Sequence, residues 1–152
     1  MKVLYISNYK DGTGWANAAI NNILALDSVG VEVVPRAVTF NSGDSDYPQR
    51  LKELEDNNIN DCDICIQHTL PHLYSYNGNF RNIGFFATES SNFKDTNWHK
   101  ACNLMDELWV PSLHTKGAAR ISGVTKPIHV APHSLDMSRY QDVKGNKIDE
   151  LL

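Results

Sequence analysis

Short apolar runs alternate with apolar residues at helical spacing along this sequence. Residues 3–6 are continuously apolar, and a turn that contains glycine follows them. The next apolar residues lie three or four positions apart, at Trp15, Ala19, Ile23 and Leu26. Continuous short runs are typical of strands that are buried on both faces, and the wider spacing is typical of helices. The alternation predicts a parallel β-sheet covered by helices.

The pattern predicts six short strands and four helices. The strands cover residues 3–6, 31–38, 63–68, 82–87, 108–110 and 128–131. The helices cover residues 15–29, where Gly30 ends the first one, and residues 48–56, 96–105 and 112–121. This order predicts an α/β fold, a doubly wound Rossmann-like parallel sheet with helices on both faces. Ligands of such folds bind beyond the carboxyl ends of the strands.

Length and charge restrict the classes of function. The 152 residues suit one domain over residues 1–136, with residues 137–152 as a linker or a short helix. A net charge of −4 without a basic run argues against nucleic acid as a partner. No apolar stretch is long enough to span a membrane, and the start does not resemble a signal peptide. With three cysteines, we expect a cytoplasmic protein with reduced thiols.

The turn after the first strand is the first candidate binding element. Gly12, Thr13, Gly14 and Trp15 lie where a helix begins, so free backbone N–H groups can attract an anion. The turn is an incomplete dinucleotide fingerprint, although Arg36 would suit the 2′-phosphate of NADP. An NADP-dependent protein therefore stays as an alternative, and so does a tight turn without a ligand.

Further candidates follow the later strands at the same edge of the predicted sheet. Glu89 can act as a general base or orient a sugar hydroxyl, or it is a solvated loop residue. His68, Thr88, Ser90 and His133 are candidate substrate-binding residues.

Cysteine and histidine spacing raises the question of a metal site. Cys62, Cys65, His68 and His72 fall close together in the sequence. Residues three apart on a strand point to opposite faces, and structural zinc sites separate two ligand pairs by about a dozen residues. We therefore expect no metal site here.

Three sequence blocks resemble the amino-terminal domain of family 4 type glycosyltransferases, which have the two-domain GT-B fold. They are residues 84–90 (GFFATES), 106–112 (DELWVPS) and 123–136, which contains PIHVAPHSLD. The glycine turn matches the family's glycine loop, and the resemblance covers residues 1–136. One departure is Ser134, which stands where the family has glycine.

The resemblance implies transfer of a hexosyl group from a nucleotide sugar to a hydroxyl acceptor. Glu89 would lie near the reacting sugar and the glycine loop near the donor phosphates. No cofactor is implied, because the nucleotide sugar is a substrate. The family's second domain holds the donor, and residues 137–152 are too few to form it, so we expect no turnover by this chain alone.

The implied partners are a nucleotide sugar or glycan, a separate donor-binding domain and a second copy of the chain in a homodimer. The alternative is a stand-alone module, derived from such a half, that binds a nucleotide, a sugar or another protein.

Overall fold

A computed structural model of the protein describes residues 1–39 and 45–140. The six strands are β1 Lys2–Ser7, β2 Glu32–Ala37, β3 Ile64–His68, β4 Arg81–Phe85, β5 Glu107–Val110 and β6 Ile128–Val130. The four helices are α1 Gly14–Ser28, α2 Gln49–Glu55, α3 Trp98–Cys102 and α4 Leu113–Ile121. Short 3₁₀ turns cover Pro71–Leu73 and Met137–Tyr140. Residues 40–44, in the loop between β2 and α2, and the tail at 141–152 lie outside the described residues.

All six strands are parallel and lie in the order β2-β1-β3-β4-β5-β6. This confirms the predicted α/β fold with a parallel Rossmann-like sheet. The chain moves from β1 outward to β2 and then returns to β3 on the other side of β1. The strand order thus reverses between β1 and β3, and Ser7 is paired with His68 where these two strands end. In open parallel sheets such a reversal opens a crevice at the carboxyl ends.

Each face of the sheet has its own helices because side chains alternate along a strand. On one face, Tyr5 and Ile66 pack in a core that includes Ile23 of α1 and Leu51 of α2. We call this the α1 face. On the other face, Leu108 and its neighbours pack against residues of α3 and α4. We call this the α4 face.

Polar caps fix the ends of the two longer helices. The Thr13 hydroxyl accepts a hydrogen bond from the N–H of Ala16 at the start of α1. Beyond the end of α1, Gly30 has a φ of +82°, a conformation that glycine adopts without strain. The Ser112 hydroxyl accepts from the N–H of Thr115 at the start of α4, as its position in the sequence predicts.

Helix α3 is shorter than the predicted helix over residues 96–105. Its last turn tightens, because the N–H groups of Leu104 and Met105 donate to carbonyls three residues back rather than four. The side chain of Asn103 is bound to Gly123 and Thr125 on the neighbouring loop. These contacts hold the chain out of a regular helix, so it turns early into β5.

Part of the outer edge of β2 is occupied by side-chain hydrogen bonds. The N–H groups of Glu32 and Val38 donate toward β1, so the odd-numbered positions between them face outward. Pro35, at one of these positions, has no N–H, and its carbonyl accepts from the guanidinium of Arg36. The outward carbonyl of Val33 accepts from the side-chain amide of Asn57. The outward carbonyls of Val33 and Pro35 are therefore satisfied by side chains.

Across residues 1–39 and 45–140, no helix has the length and apolarity needed to cross a membrane.

Candidate functional site

The glycine loop between β1 and α1 has a shape fixed by its own hydrogen bonds. The Asp11 carboxylate accepts from the backbone N–H and hydroxyl of Thr13, at 3.1 and 2.8 Å, and from the amide of Asn8. Desolvation opposes the charge on Asp11, but these hydrogen bonds outweigh it and lower the pKa of the carboxyl. Gly12 has a φ of +72°, and a Cβ there would lie 3.1 Å from Ser45. The loop therefore requires glycine at position 12.

Gly14 differs from Gly12 because it faces open space. A Cβ at Gly14 would have no neighbouring atom within 4 Å. The backbone N–H groups of Gly14 and Trp15 have no acceptor among the described residues. The start of α1 thus presents two free donors to the solvent, together with the positive end of the helix dipole.

Three buried polar groups lie beside this loop, at the carboxyl ends of β1 and β3. The side chains of Ser7 and His68 are fully buried and Thr69 is 3% exposed. Ser7 Oγ, His68 Nε2 and Thr69 Oγ1 have no hydrogen-bond partner among the described residues. We call the space at these strand ends the switch-point crevice. A buried polar atom without a partner costs about 1–3 kcal/mol, so such atoms call for a structural or functional reason.

The neighbours of His68 favour one of its two tautomers. The Asn22 amide donates to the Tyr5 hydroxyl at 3.4 Å, and that hydroxyl lies 3.0 Å from His68 Nδ1. The Tyr5 proton is then directed at Nδ1, which leaves the ring hydrogen on Nε2. Desolvation, with a smaller contribution from His133, lowers the pKa of His68 to about 3. The ring is therefore neutral near pH 7 and presents Nε2–H as a donor.

Aromatic rings surround His68. The Phe85 ring stacks on it at 4.4 Å, and the Trp15 and His133 rings lie at 5.0 and 5.5 Å. The Trp15 indole also donates to the His68 carbonyl at 3.2 Å. The structure thus brings together three of the predicted site residues, Trp15, His68 and His133.

Asn22 belongs to the hydrogen-bonded group around His68, and the sequence prediction missed it. Its carboxamide contacts Tyr5 and the His133 ring, and it accepts from the N–H of Ser134 at 2.8 Å. It thereby holds the segment after β6 against α1. Asn22 lies three positions after Ala19 on the apolar side of α1, which marks the position as buried but does not identify its partners.

The residues after β4 form a separate group from the rings around His68. Thr88 is half-buried, and Glu89 and Ser90 are exposed. The Glu89 carbonyl lies 3.3 Å from His114 Nε2 on α4, whereas its carboxylate has no hydrogen bond or ion pair with a described residue. No contact joins this group to His68.

Two open pockets flank the crevice. One has a volume of about 190 Å³ and lies on the α1 face, between α1 and the segment after β6. We call it the Trp109 cleft; its lining includes Leu26, Phe85, Trp109 and Pro132. The other has a volume of about 340 Å³ and lies in the loop between β4 and α3. We call it the Trp98 pocket; it is lined by Thr88, Ser90, Asn92, Phe93, Asp95, Thr96 and Trp98.

The cysteines lie away from the crevice. Cys62 and Cys65 are buried in a small core on the face opposite His68. Burial raises the pKa of the Cys65 thiol to about 11, so it stays protonated near pH 7. Among the residues that the structure describes, no three histidine, cysteine or acidic side chains are grouped to hold a metal ion.

The Arg36 side chain has a structural role. Its guanidinium donates to the carbonyls of Pro35, Glu55 and Asn57, at 2.7 to 3.0 Å. These bonds direct it at the segment after α2, where it does not serve as the free cation that a 2′-phosphate of NADP requires.

Comparisons with known proteins add no assignment to this geometry. No protein-family model matches the chain, and no curated protein matches it.

Proposed function

We propose that this chain is the acceptor-side half of a nucleotide-sugar-dependent glycosyltransferase. The single observation that carries the proposal is the switch-point crevice, where three buried polar groups without partners lie beside a helix N-terminus with free N–H groups. This is where ligands of open parallel sheets bind. The sequence resemblance to family 4 type glycosyltransferases supplies the class of reaction.

The crevice supports binding of a diphosphate in chemical terms. The N–H groups of Gly14 and Trp15 and the dipole of α1 favour an anion at the helix start. The buried His68 Nε2–H is a further neutral donor that a phosphate oxygen reaches only when the strand ends open, and a hydrogen bond in such surroundings of low polarity is strong. In a transferase these donors stabilise the negative charge on the leaving diphosphate.

Glu89 is the proposed catalytic residue. Its carboxylate is exposed and has no partner among the described residues, so it is free to accept a hydrogen bond from a substrate hydroxyl. It can then orient the reacting hydroxyl or remove its proton, with the donor sugar held by a second domain across the crevice. The chain alone is expected to bind the nucleotide and not to turn over.

A thermal-shift titration tests the proposal. We would titrate the chain with UDP, GDP, ADP and their sugars, and compare Gly14→Ala with Gly117→Ala. A ligand at 100 times its Kd adds about 2.7 kcal/mol to the free energy of unfolding. We expect one nucleotide to stabilise the wild type and Gly117→Ala, but not Gly14→Ala, whose new methyl group would cover the free N–H groups.

Gly117 is a matched control because it also lies in a helix, and a Cβ there would meet nothing within 4 Å. Alanine favours helix at both positions, so neither variant should melt earlier than the wild type. No stabilisation by any nucleotide, or equal stabilisation of both variants, would contradict the proposal.

The alternative is a stand-alone binding module, and the Trp109 cleft favours it. The cleft is an open depression on the sheet, and the half-buried Trp109 and the buried Phe85 are among the residues that line it. Such an apolar depression can receive an apolar side chain of a partner or of a second copy of the chain. Sedimentation velocity of the wild type and of Trp109→Gln would report self-association. A dimer that this substitution dissociates, together with no nucleotide binding, would favour the module.

A further inference from the structure

We infer that the Trp98 pocket binds the ring of a neutral sugar. The binding itself is independent of the proposed function, whereas its assignment to the acceptor of the transfer rests on that function. The volume of the pocket, about 340 Å³, falls within the range of about 300–1,000 Å³ that is typical of small-molecule sites.

The floor of the pocket is aromatic and fixed in place. The Trp98 ring lies edge-on to Phe86 at 6.3 Å and tilted against Phe93 at 5.8 Å. Phe93 is 5% exposed, and its N–H donates to Ser122 Oγ at 2.7 Å, which ties the loop to the end of α4. The His72 ring stacks on one face of Trp98 at 6.1 Å, so only the other face can pack against the C–H groups of a sugar ring.

The rim of the pocket carries polar groups that the protein does not use. Among the described residues, no partner binds Ser90 Oγ, Asn92 Nδ2, the Asp95 carboxylate or the Trp98 indole N–H. These groups include a strong acceptor, two N–H donors and a hydroxyl that can do both. Neighbouring hydroxyls of a sugar also donate and accept, so the rim complements them.

The loop is shaped by other atoms of the same residues, which leaves the rim groups free. Asn92 Oδ1 accepts from the N–H of Lys94, and Thr96 Oγ1 donates to the Phe93 carbonyl at 2.8 Å. The N–H of Trp98 donates to Thr96 Oγ1 at 3.2 Å. The loop is therefore ordered before any ligand binds, which lowers the entropic cost of binding.

The Trp98 pocket and the switch-point crevice differ in the charge of their side chains. The Asp95 carboxylate repels phosphate, whereas it accepts hydrogen bonds from two hydroxyls of a neutral ligand. The three unpaired side chains of the crevice include no acidic group, and the Asp11 carboxylate in the adjacent glycine loop is already bonded to Thr13 and Asn8. The two sites thus suit the two substrates of a transfer, the phosphate-bearing donor and the neutral acceptor.

Fluorine NMR of the chain labelled with 5-fluorotryptophan tests the inference. The protein has three tryptophans, and each signal is assigned from its Trp→Phe variant. The probes are the methyl glycosides of glucose, mannose, galactose and N-acetylglucosamine at millimolar concentration. We expect at least one of them to shift the Trp98 signal to saturation, with the Trp15 and Trp109 signals unchanged.

Matched variants identify the contact. We expect Asp95→Asn to lower the affinity for the glycoside at least tenfold, and Asn92→Ala to lower it several-fold. Asp56→Asn, at an exposed position after α2, should leave the affinity unchanged. All three positions are on exposed segments outside the core, so the melting temperature should stay near that of the wild type.

The inference is overturned if no glycoside shifts the Trp98 signal, or if Asp95→Asn binds as tightly as the wild type. The probes carry no phosphate, so this result is distinct from the nucleotide titration. A Trp98 response without nucleotide binding would retain this sugar site and remove the proposed function. Nucleotide binding with an unchanged Trp98 signal would retain the proposed function and remove this sugar site.

Discussion

Gly84 lies in the middle of β4, where the ring of Tyr74 packs directly on the backbone. A Cβ at this position would lie 2.5 Å from Tyr74 Cε2 and 2.8 Å from Leu108 Cδ2. The strand therefore depends on the missing side chain for close packing on the α4 face.

We expect Gly84→Ala to lower the free energy of unfolding by about 1–3 kcal/mol, because the added methyl group overpacks the core. Urea unfolding followed by circular dichroism measures this change. Gly117→Ala serves as the control and should raise the stability by about 0.5–1 kcal/mol, since it replaces a helical glycine in open space. A Gly84→Ala protein as stable as the wild type would show that the Tyr74 ring moves aside freely.

His68 makes the stability depend on pH. Its pKa is about 3 in the folded protein and about 6.5 in an unfolded chain, so the unfolded chain binds the extra proton first. Above pH 6.5 the ring is neutral in both states. Below that pH the folded state loses stability, by up to about 2 kcal/mol between pH 6.5 and pH 5, and the loss ends near pH 3.

We expect His68→Gln to reduce this loss, because glutamine does not titrate and can still accept from Tyr5. Urea unfolding at pH 7, 6 and 5 measures the slope above the range in which carboxyl groups titrate. His133 also has a pKa lowered by desolvation, but its ring is exposed and contributes less. An equal slope in the wild type and in His68→Gln would contradict a buried neutral imidazole.

Some residues of the candidate site were identified from the sequence, and others were missed. Trp15 and His68 were identified because each lies at a strand end or helix start, which a local pattern reveals. Asn22 was not, because a lone asparagine inside an apolar helix face has no local signature of the partners it will meet. Its contacts with Tyr5 and Ser134 join positions 17 and 112 residues apart in the sequence.

Helix α4 is the element whose start depends most directly on one side chain. Ser112 Oγ accepts from the N–H of Thr115 at 3.2 Å, and this donor has no other partner within the first turn.

We expect Ser112→Ala to lower the free energy of unfolding by about 1 kcal/mol, the usual cost of removing an N-cap. Chemical unfolding provides the measurement. Ser28→Ala is the control, because the Ser28 hydroxyl donates to the Ala25 carbonyl at an exposed helix end and caps no free N–H. If both substitutions had the same effect, the Ser112 cap would have no special role.

Strands and helices were predicted well where the apolar pattern of the segment itself determines its structure. They were predicted less well where contacts with distant residues determine it. All six strands were predicted within two residues of their observed bounds, because parallel buried strands are continuous apolar runs. Helix α3 was predicted too long, since apolar residues at 101–105 continue the spacing although Asn103 is bound to a distant loop. A tertiary contact of this kind leaves no periodic signal.

The whole sheet is expected to be least stable at its β6 edge. β3 has a hydrogen-bonded neighbour on each side, whereas β6 has three residues and a single neighbour, and both His129 and Val130 are exposed. Local opening is easiest where few contacts must break.

We therefore expect the amides of β3 to exchange with deuterium slowest and those of β6 to exchange fastest among the strands. Hydrogen exchange read by NMR at residue level tests this order. Protection of β6 equal to that of β3 would mean that another surface covers this edge in solution.

The arrangement of the candidate site could not be predicted, because it depends on contacts between residues that are distant in the sequence. The alternation of elements indicates a parallel sheet, but the strand order is set by non-local packing. Only the observed order pairs Ser7 with His68 and so creates the crevice. The resemblance to glycosyltransferases remains a prediction, which the nucleotide titration tests.

The protected edge of β2 limits how copies of this protein can aggregate. An exposed strand edge is a template on which another chain can add a strand. Pro35 offers no N–H to an incoming strand, and the carbonyls of Val33 and Pro35 are already bonded to Asn57 and Arg36. Strand addition at β2 would have to break these contacts first. Of the two edge strands that the structure describes, β6, on the opposite side of the sheet from β2, is therefore the one where we expect β-type association to begin more readily.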